Sequence, residues 1–212
     1  MNTLTSRRLA EWAGLAHGFV PNLASGPRPA PWRPIQVHGS RIARPATGAE
    51  EPREADAAVV PAGGPAVGVI TADCVPLLLA GPTGAAAAVH AGWRPVAAGI
   101  VEGAVAAMEA LGSPAPSLVA ALGPAAGGCC YQVGTEVVEA LSSPGRARPD
   151  GADRFRLDLR GVVRDRLVAL GVDPLRVDVV GPCTICSAGW PSWRRQGPAA
   201  GRALAWIAPA PG

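Results

Sequence analysis

Between Val67 and His90 three short apolar runs follow one another almost without pause. VGVI (67–70), PLLLA (76–80) and AAAAVH (85–90) are separated only by TADCV and GPTG. Runs this short cannot be core helices, and the Gly, Pro and Asp between them are turn formers. The spacing therefore predicts three neighbouring strands in one sheet. After His90 the period changes. Val96, Ile100, Ala104, Met108 and Leu111 recur three or four apart, predicting one helix that stops at Gly112. Farther on, SLVAALG (117–123) reads as a strand, 136–141 as a short helix and 159–170 as a long amphipathic one ending at Gly171. Strands follow at 176–180 and 203–207. Leu4 to Trp12 is a short helix or a strand, and the Pro-rich 21–34 is an extended connection. Strands and helices so mixed imply an α/β fold, a layered sandwich with a mixed β-sheet core flanked by helices. The 212 residues fit one domain, residues 1–212.

Composition excludes several classes. The charged share of 17% and hydrophobic share of 49% rule out a disordered polyelectrolyte. Nineteen Arg, no Lys and a net charge of +3, scattered along the chain, give no nucleic-acid footprint. No stretch reaches the ~18 apolar residues of a membrane helix. Five Cys, an odd number, argue against a secreted disulfide scaffold and for the cytoplasm.

There are only three His. Two lie at expected strand ends, His38 in QVHGS and His90 in VHAGW, with Cys74 in TADC between them. Imidazole and thiolate are ligands zinc prefers, and three protein ligands leave a fourth position for water or substrate. The spacing is not that of a zinc finger. Cys74 reads equally as a nucleophile with a His as its base. Asp73 is a candidate proton carrier or a turn residue. Arg94, Arg194 and Arg202 offer planar forks for phosphate, and Trp93 and Trp193 offer stacking faces for a base. Arg194 and Arg195, if on a strand, cannot both face one pocket. Cys129 and Cys130 read as part of a turn. Cys183 and Cys186 form a CxxC with no second pair nearby, so packing is the expectation.

In one order along the chain stand HGF (17–19), QVHGS (36–40), ADAAVV (55–60), TADCVPLLL (71–79), VHAGWR (89–94), LGPAAGGCCYQVG (122–134), CT (183–184) and SWRRQGPAAGR (192–202). This pattern resembles the laccase-domain family of the YfiH type, also named multicopper polyphenol oxidases or purine nucleoside phosphorylases. The resemblance implies one zinc held by His38, Cys74 and His90, with copper the less favoured ion. Asp73, Cys74 and Arg94 are then the catalytic candidates, and Gln36, Trp93, Arg194 and Arg202 the substrate-binding ones. The implied substrates are a purine nucleoside and phosphate, with adenosine deaminase and methylthioadenosine phosphorylase activity alongside. No nucleic acid or membrane is an expected partner, and the chain is a monomer or homodimer. Two other readings stand: an amide hydrolase that edits cytoplasmic peptidoglycan precursors, and a metal-binding regulatory protein without catalysis. The chain also departs from the family pattern. Val20 and Pro21 replace an Arg after HGF, Pro95 a Gly, and Gln132 an acid, while GWPSWRRQG replaces an aromatic-rich element.

Overall fold

The computed structural model describes residues 3–12, 14–51 and 53–211. Its centre is a six-stranded mixed sheet. The members are β2 (Ile42–Ala43), β3 (Ala57–Val60), β5 (Val75–Ala80), β6 (Ala86–Ala91), β7 (Val119–Leu122) and β11 (Val177–Val179). Their order is β11-β7-β5-β6-β3-β2. A second sheet joins β1 (Ala16–Val20), β12 (Ala203–Ala208) and β4 (Val67–Thr71) in the order β1-β12-β4. A small third sheet is made by β8 (Gln132–Gly134), β10 (Arg154–Leu157) and β9 (Ala147–Pro149).

Side-chain alternation sorts the six-stranded sheet into two faces. Val75, Leu77, Leu79, Ala87, Val89, Ala120 and Leu122 point to one side. There they meet α3 (Ile100–Glu109) and α5 (Leu159–Ala169) through Ile100, Ala104, Met108, Val163 and Leu167. Leu78, Ala80, Ala86, Ala88 and Ala121 point to the other side and meet Val67, Val69, Ala205 and Ile207 of the second sheet. The result is the expected α/β sandwich, with helices on one face and a sheet on the other. Leu77, Leu78 and Leu79 are fully buried, each worth roughly 1.5–3 kcal/mol over exposure. The many strand alanines have little β-propensity of their own; burial between layers holds them there.

Three expectations are corrected. The runs at 67–90 do not share one sheet. β5 and β6 form an antiparallel hairpin in the large sheet, whereas β4 pairs with β12. The chain changes sheets across Ala72, Asp73 and Cys74, and Asp73 makes the corner in the left-handed region at φ 86°. Second, the helix expected at 96–111 is two, α2 (Trp93–Ala97) and α3, broken where Gly99 adopts φ 86°. Third, the 21–34 connection contains a 3-10 turn, Leu23–Ser25, capped by the Asn22 side chain. At the start, Arg7–Ala10 is a helix, α1, and α4 (Thr135–Leu141) forms where a short one was expected. Among the described residues no helix is long and apolar enough to cross a membrane.

Candidate metal centre and substrate cleft

His38, Cys74 and His90 converge, with their ligand atoms all within 4.8 Å of one another. Each arrives by a different route. Cys74 follows the corner between sheets. His90 lies in β6, paired with Pro76 of β5. His38 sits on an exposed loop and takes φ 59°. Its ring meets that of His90 edge to face, with centroids 4.8 Å apart and planes at 81°. Gly92 leaves room for the sulfur, since a Cβ there would stand 2.9 Å from Cys74 Sγ.

One buried carboxylate organises the group. Asp56, 0% exposed, immediately precedes β3. It accepts hydrogen bonds from the backbone N–H groups of Val37 (3.2 Å), His38 (3.0 Å) and Gly39 (2.7 Å). It also holds His90 Nδ1 at 2.7 Å. The same carboxylate therefore shapes the loop of one imidazole and orients the ring of the other, leaving His90 Nε2 for Cys74 or an ion. Burial disfavours the Cys74 thiolate, but hydrogen bonds and charge from His38 and His90 outweigh it and bring its pKa down to about 6. Burial likewise opposes the His90 imidazolium, while Asp56 and Cys74 hold its pKa up, at about 9. At neutral pH the metal-free pair is thus a Cys74 thiolate beside a protonated His90, whose proton an entering cation would displace.

The donor set fits zinc. Two nitrogens and one sulfur are borderline-soft ligands. A tetrahedral ion at ~2.0–2.3 Å spaces its donors by about 3.3–3.8 Å, inside the span observed.

Above the trio opens a cleft of about 540 Å³, in the range of small-molecule sites. Every residue expected at the site lines it: Gln36, Asp73, Trp93, Arg94, Arg194 and Arg202 beside the three ligands. Three guanidinium groups lie over aromatic rings. Arg94 sits 4.3 Å from the Trp93 ring centre, Arg194 4.9 Å from that of Tyr131 and Arg202 5.9 Å from that of Trp193. None of these three Arg pairs with a carboxylate among the described residues. Trp93 packs partly against the helical core, whereas Trp193 is 49% exposed.

Other side chains hold the walls. Gln36 clamps the backbone of Ile70, accepting from its N–H at 2.8 Å and donating to its carbonyl at 2.9 Å. Asp73 accepts from Thr184 Oγ1 (2.6 Å), Ser192 Oγ (3.1 Å) and the Arg194 N–H (2.7 Å). It ties the corner between sheets to α6 (Trp193–Gln196). Because 193–196 is a helix and not a strand, Arg194 faces the cleft while Arg195 turns to the 184–190 loop. Gln132, where the family pattern has an acid, donates to Asp150 at 2.7 Å.

Sequence reasoning missed Asp56 and Tyr131. Asp56 had a signal, a lone acid inside the apolar ADAAVV, since a buried carboxylate must be paired. Tyr131 is the only Tyr in the chain. Burial and the negative Cys74 push its phenol up to about 12, so it stays protonated and able to donate.

Residues 23–210 match the family model described as multi-copper polyphenol oxidoreductase laccase. The chain belongs to this family. Among its laccase-family relatives, a Streptomyces coelicolor protein named purine nucleoside phosphorylase is 40% identical over 76% of this chain and 68% of its own length. An Aquifex aeolicus protein of the same name is 33% identical over 77% and 75%. The crystal structure of YlmD from Geobacillus stearothermophilus superposes with a TM-score of 0.83 at 26% identity, over 97% of this chain and 94% of that one. Bacillus licheniformis YfiH gives 0.79 at 25%, over 85% and 74%.

Proposed function

We propose that this protein is a purine nucleoside phosphorylase that uses one zinc ion held by His38, Cys74 and His90. The observation that carries this reading is the placement of the three ligands at the floor of a cleft walled by arginine–aromatic pairs. The names of the relatives support the same substrate class. Several coppers would need more imidazole than the chain has. Of three His, the remaining one, His17, accepts a hydrogen bond from the Ser6 N–H at 2.9 Å.

When bound, zinc supplies Lewis-acid chemistry at the cleft floor. The rest falls to the chain's own side chains. Trp93, Trp193 and the Tyr131 ring present faces on which a purine can stack. Arg94, Arg194 and Arg202, unpaired with acids, bind phosphate and aim it at the anomeric carbon as the base departs. Tyr131 donates a hydrogen bond to that base. Asp73, expected as a proton carrier, has both oxygens engaged, and we assign it the positioning of Arg194. Asp73→Asn then raises KM and leaves the shape of the pH–rate profile intact, whereas a proton carrier would lose one limb. The same cleft is proposed to accept adenosine for deamination and methylthioadenosine for phosphorolysis.

The test is turnover of a nucleoside panel by zinc-loaded protein with and without phosphate. Release of free base that requires phosphate supports phosphorolysis. Phosphate-independent cleavage of an amide, with no nucleoside turned over, refutes it in favour of hydrolysis.

A further inference from the structure

Parallel strands β7 and β11 run side by side, Leu122 opposite Val179, and deliver the loops after them to one end of the sheet. One loop carries Cys129 and Cys130, the other Cys183 and Cys186. A parallel bridge between Ala125 and Cys183 joins them, with the Thr184 N–H donating to Ala125 at 3.0 Å. The four sulfurs lie within 4.8 Å of one another. Cys186 Sγ is 3.0 Å from Cys130 Sγ and 3.6 Å from Cys129 Sγ, and all four are free thiols. Cys129 and Cys130 do lie in the expected turn, closed by the Cys130 N–H donating to the Gly127 carbonyl at 2.9 Å, but packing does not account for Cys183 and Cys186. Cys129 and Cys186 are exposed, so burial of apolar surface does not draw the group together.

We propose that Cys129, Cys130, Cys183 and Cys186 form a second metal site, a tetrathiolate that holds one zinc ion and staples the two loops together. Four sulfurs around zinc at ~2.3 Å stand about 3.8 Å apart; the two Cys186 separations, 3.0 and 3.6 Å, fall just short of that value and all four sulfurs stay within 4.8 Å. The backbone is arranged for thiolates. Gly127 donates its N–H to Cys183 Sγ at 3.2 Å. A Cβ on Gly127 would stand 3.3 Å from Cys129 Sγ and 3.5 Å from Cys183 Sγ, so a larger residue there would press on both sulfurs.

Charge is arranged to match. A zinc tetrathiolate carries a net double negative charge. Arg148 donates to the Gly128 carbonyl at 3.2 Å and Arg156 to that of Cys130 at 2.8 Å. Arg195 gathers the carbonyls of Thr184 (2.5 Å), Ile185 (2.9 Å), Ser187 (3.2 Å) and Trp190 (2.5 Å). Arg148 and Arg195 have no carboxylate partner among the described residues. Binding needs no oxidant or reductant, because the thiol protons pass to solvent as the ion enters. The ion would also brace the cleft. Tyr131 follows Cys130, and Thr184, which follows Cys183, anchors Asp73.

The test is a metal titration of the full chain, stripped of metal and kept reduced, with zinc and separately with cobalt(II). Two zinc ions per chain are expected, one in Cys74→Ala and one in the double variant Cys183→Ser/Cys186→Ser. Cobalt-loaded Cys74→Ala, in which the cluster alone remains, should show the intense sulfur-to-cobalt charge transfer of a tetrahedral tetrathiolate. That spectrum decides the matter even if the double variant does not fold. One zinc in the wild type and none in Cys74→Ala, or a disulfide among the four in reduced protein, overturns the second site. Failure of the His–Cys–His centre alone would instead leave the wild type with one ion that survives Cys74→Ala.

Discussion

The two sulfur-bearing clusters of this protein are built on opposite plans. Around Cys74 the donors are mixed, His90 is 3% exposed, and one buried carboxylate positions both imidazoles. Around Cys186 the donors are four of a kind, partly exposed, and held by backbone N–H groups and guanidinium-bound carbonyls. Three ligands beside a cleft leave room for chemistry, while four ligands closing on themselves leave none. On the two proposals made above, the contrast is that between a reacting centre and a fastening one.

The sharpest way to break this contrast is Cys74→Ala, which should abolish nucleoside turnover and remove the ion of the first centre only. Turnover that survived would move the chemistry elsewhere. Asp56→Asn should come next. An amide cannot accept from three N–H groups and His90 together, so zinc affinity at the first centre should fall ~10–100-fold. Calorimetric titration reads that loss, and the cluster's own ion should stay. A third measurement is alkylation of metal-free protein against pH. A thiol lowered on folding contributes stability that is fully present above its unfolded value near 9 and lost as pH falls through about 6. Modification of Cys74 should therefore be fast at pH 7, half-maximal near pH 6, and drop ~10-fold per unit below. A midpoint near 9 would be incompatible with the His38 and His90 contacts. The smallest effect is expected from Cys186→Ser on turnover. A fastening role predicts a loss in kcat/KM under ~10-fold, equivalent to about 1.4 kcal/mol. A larger fall in kcat than in binding would place that sulfur nearer the chemistry.

The grouping of His38, Cys74 and His90 was legible because imidazole and thiolate are scarce here and sit in distinctive motifs. The long helices were legible through their apolar period. Less visible was anything decided by partners distant in the chain. Val67–Thr71 has the apolar look of its neighbours, and nothing in that run shows which sheet claims it. Arg154 and Arg156 lie in a strand whose side chains are mostly outside the core, so no alternation announces β10. Cys130 and Cys186 are 56 positions apart, and only the parallel course of β7 and β11 unites them. Gly99 carried a warning, as glycine weakens a helix, but a break needs the left-handed turn it makes there.

The corner at Ala72–Cys74 has a consequence for how such a site can be retuned. Thr71 ends one sheet and Val75 begins the other, so the gap between the two layers is registered directly at the sulfur. Bulkier or smaller side chains at Ala88 or Ala205, deep between the layers, would act as remote dials on the ligand geometry. Drift in that interior could reshape reactivity while every residue touching the substrate stayed the same.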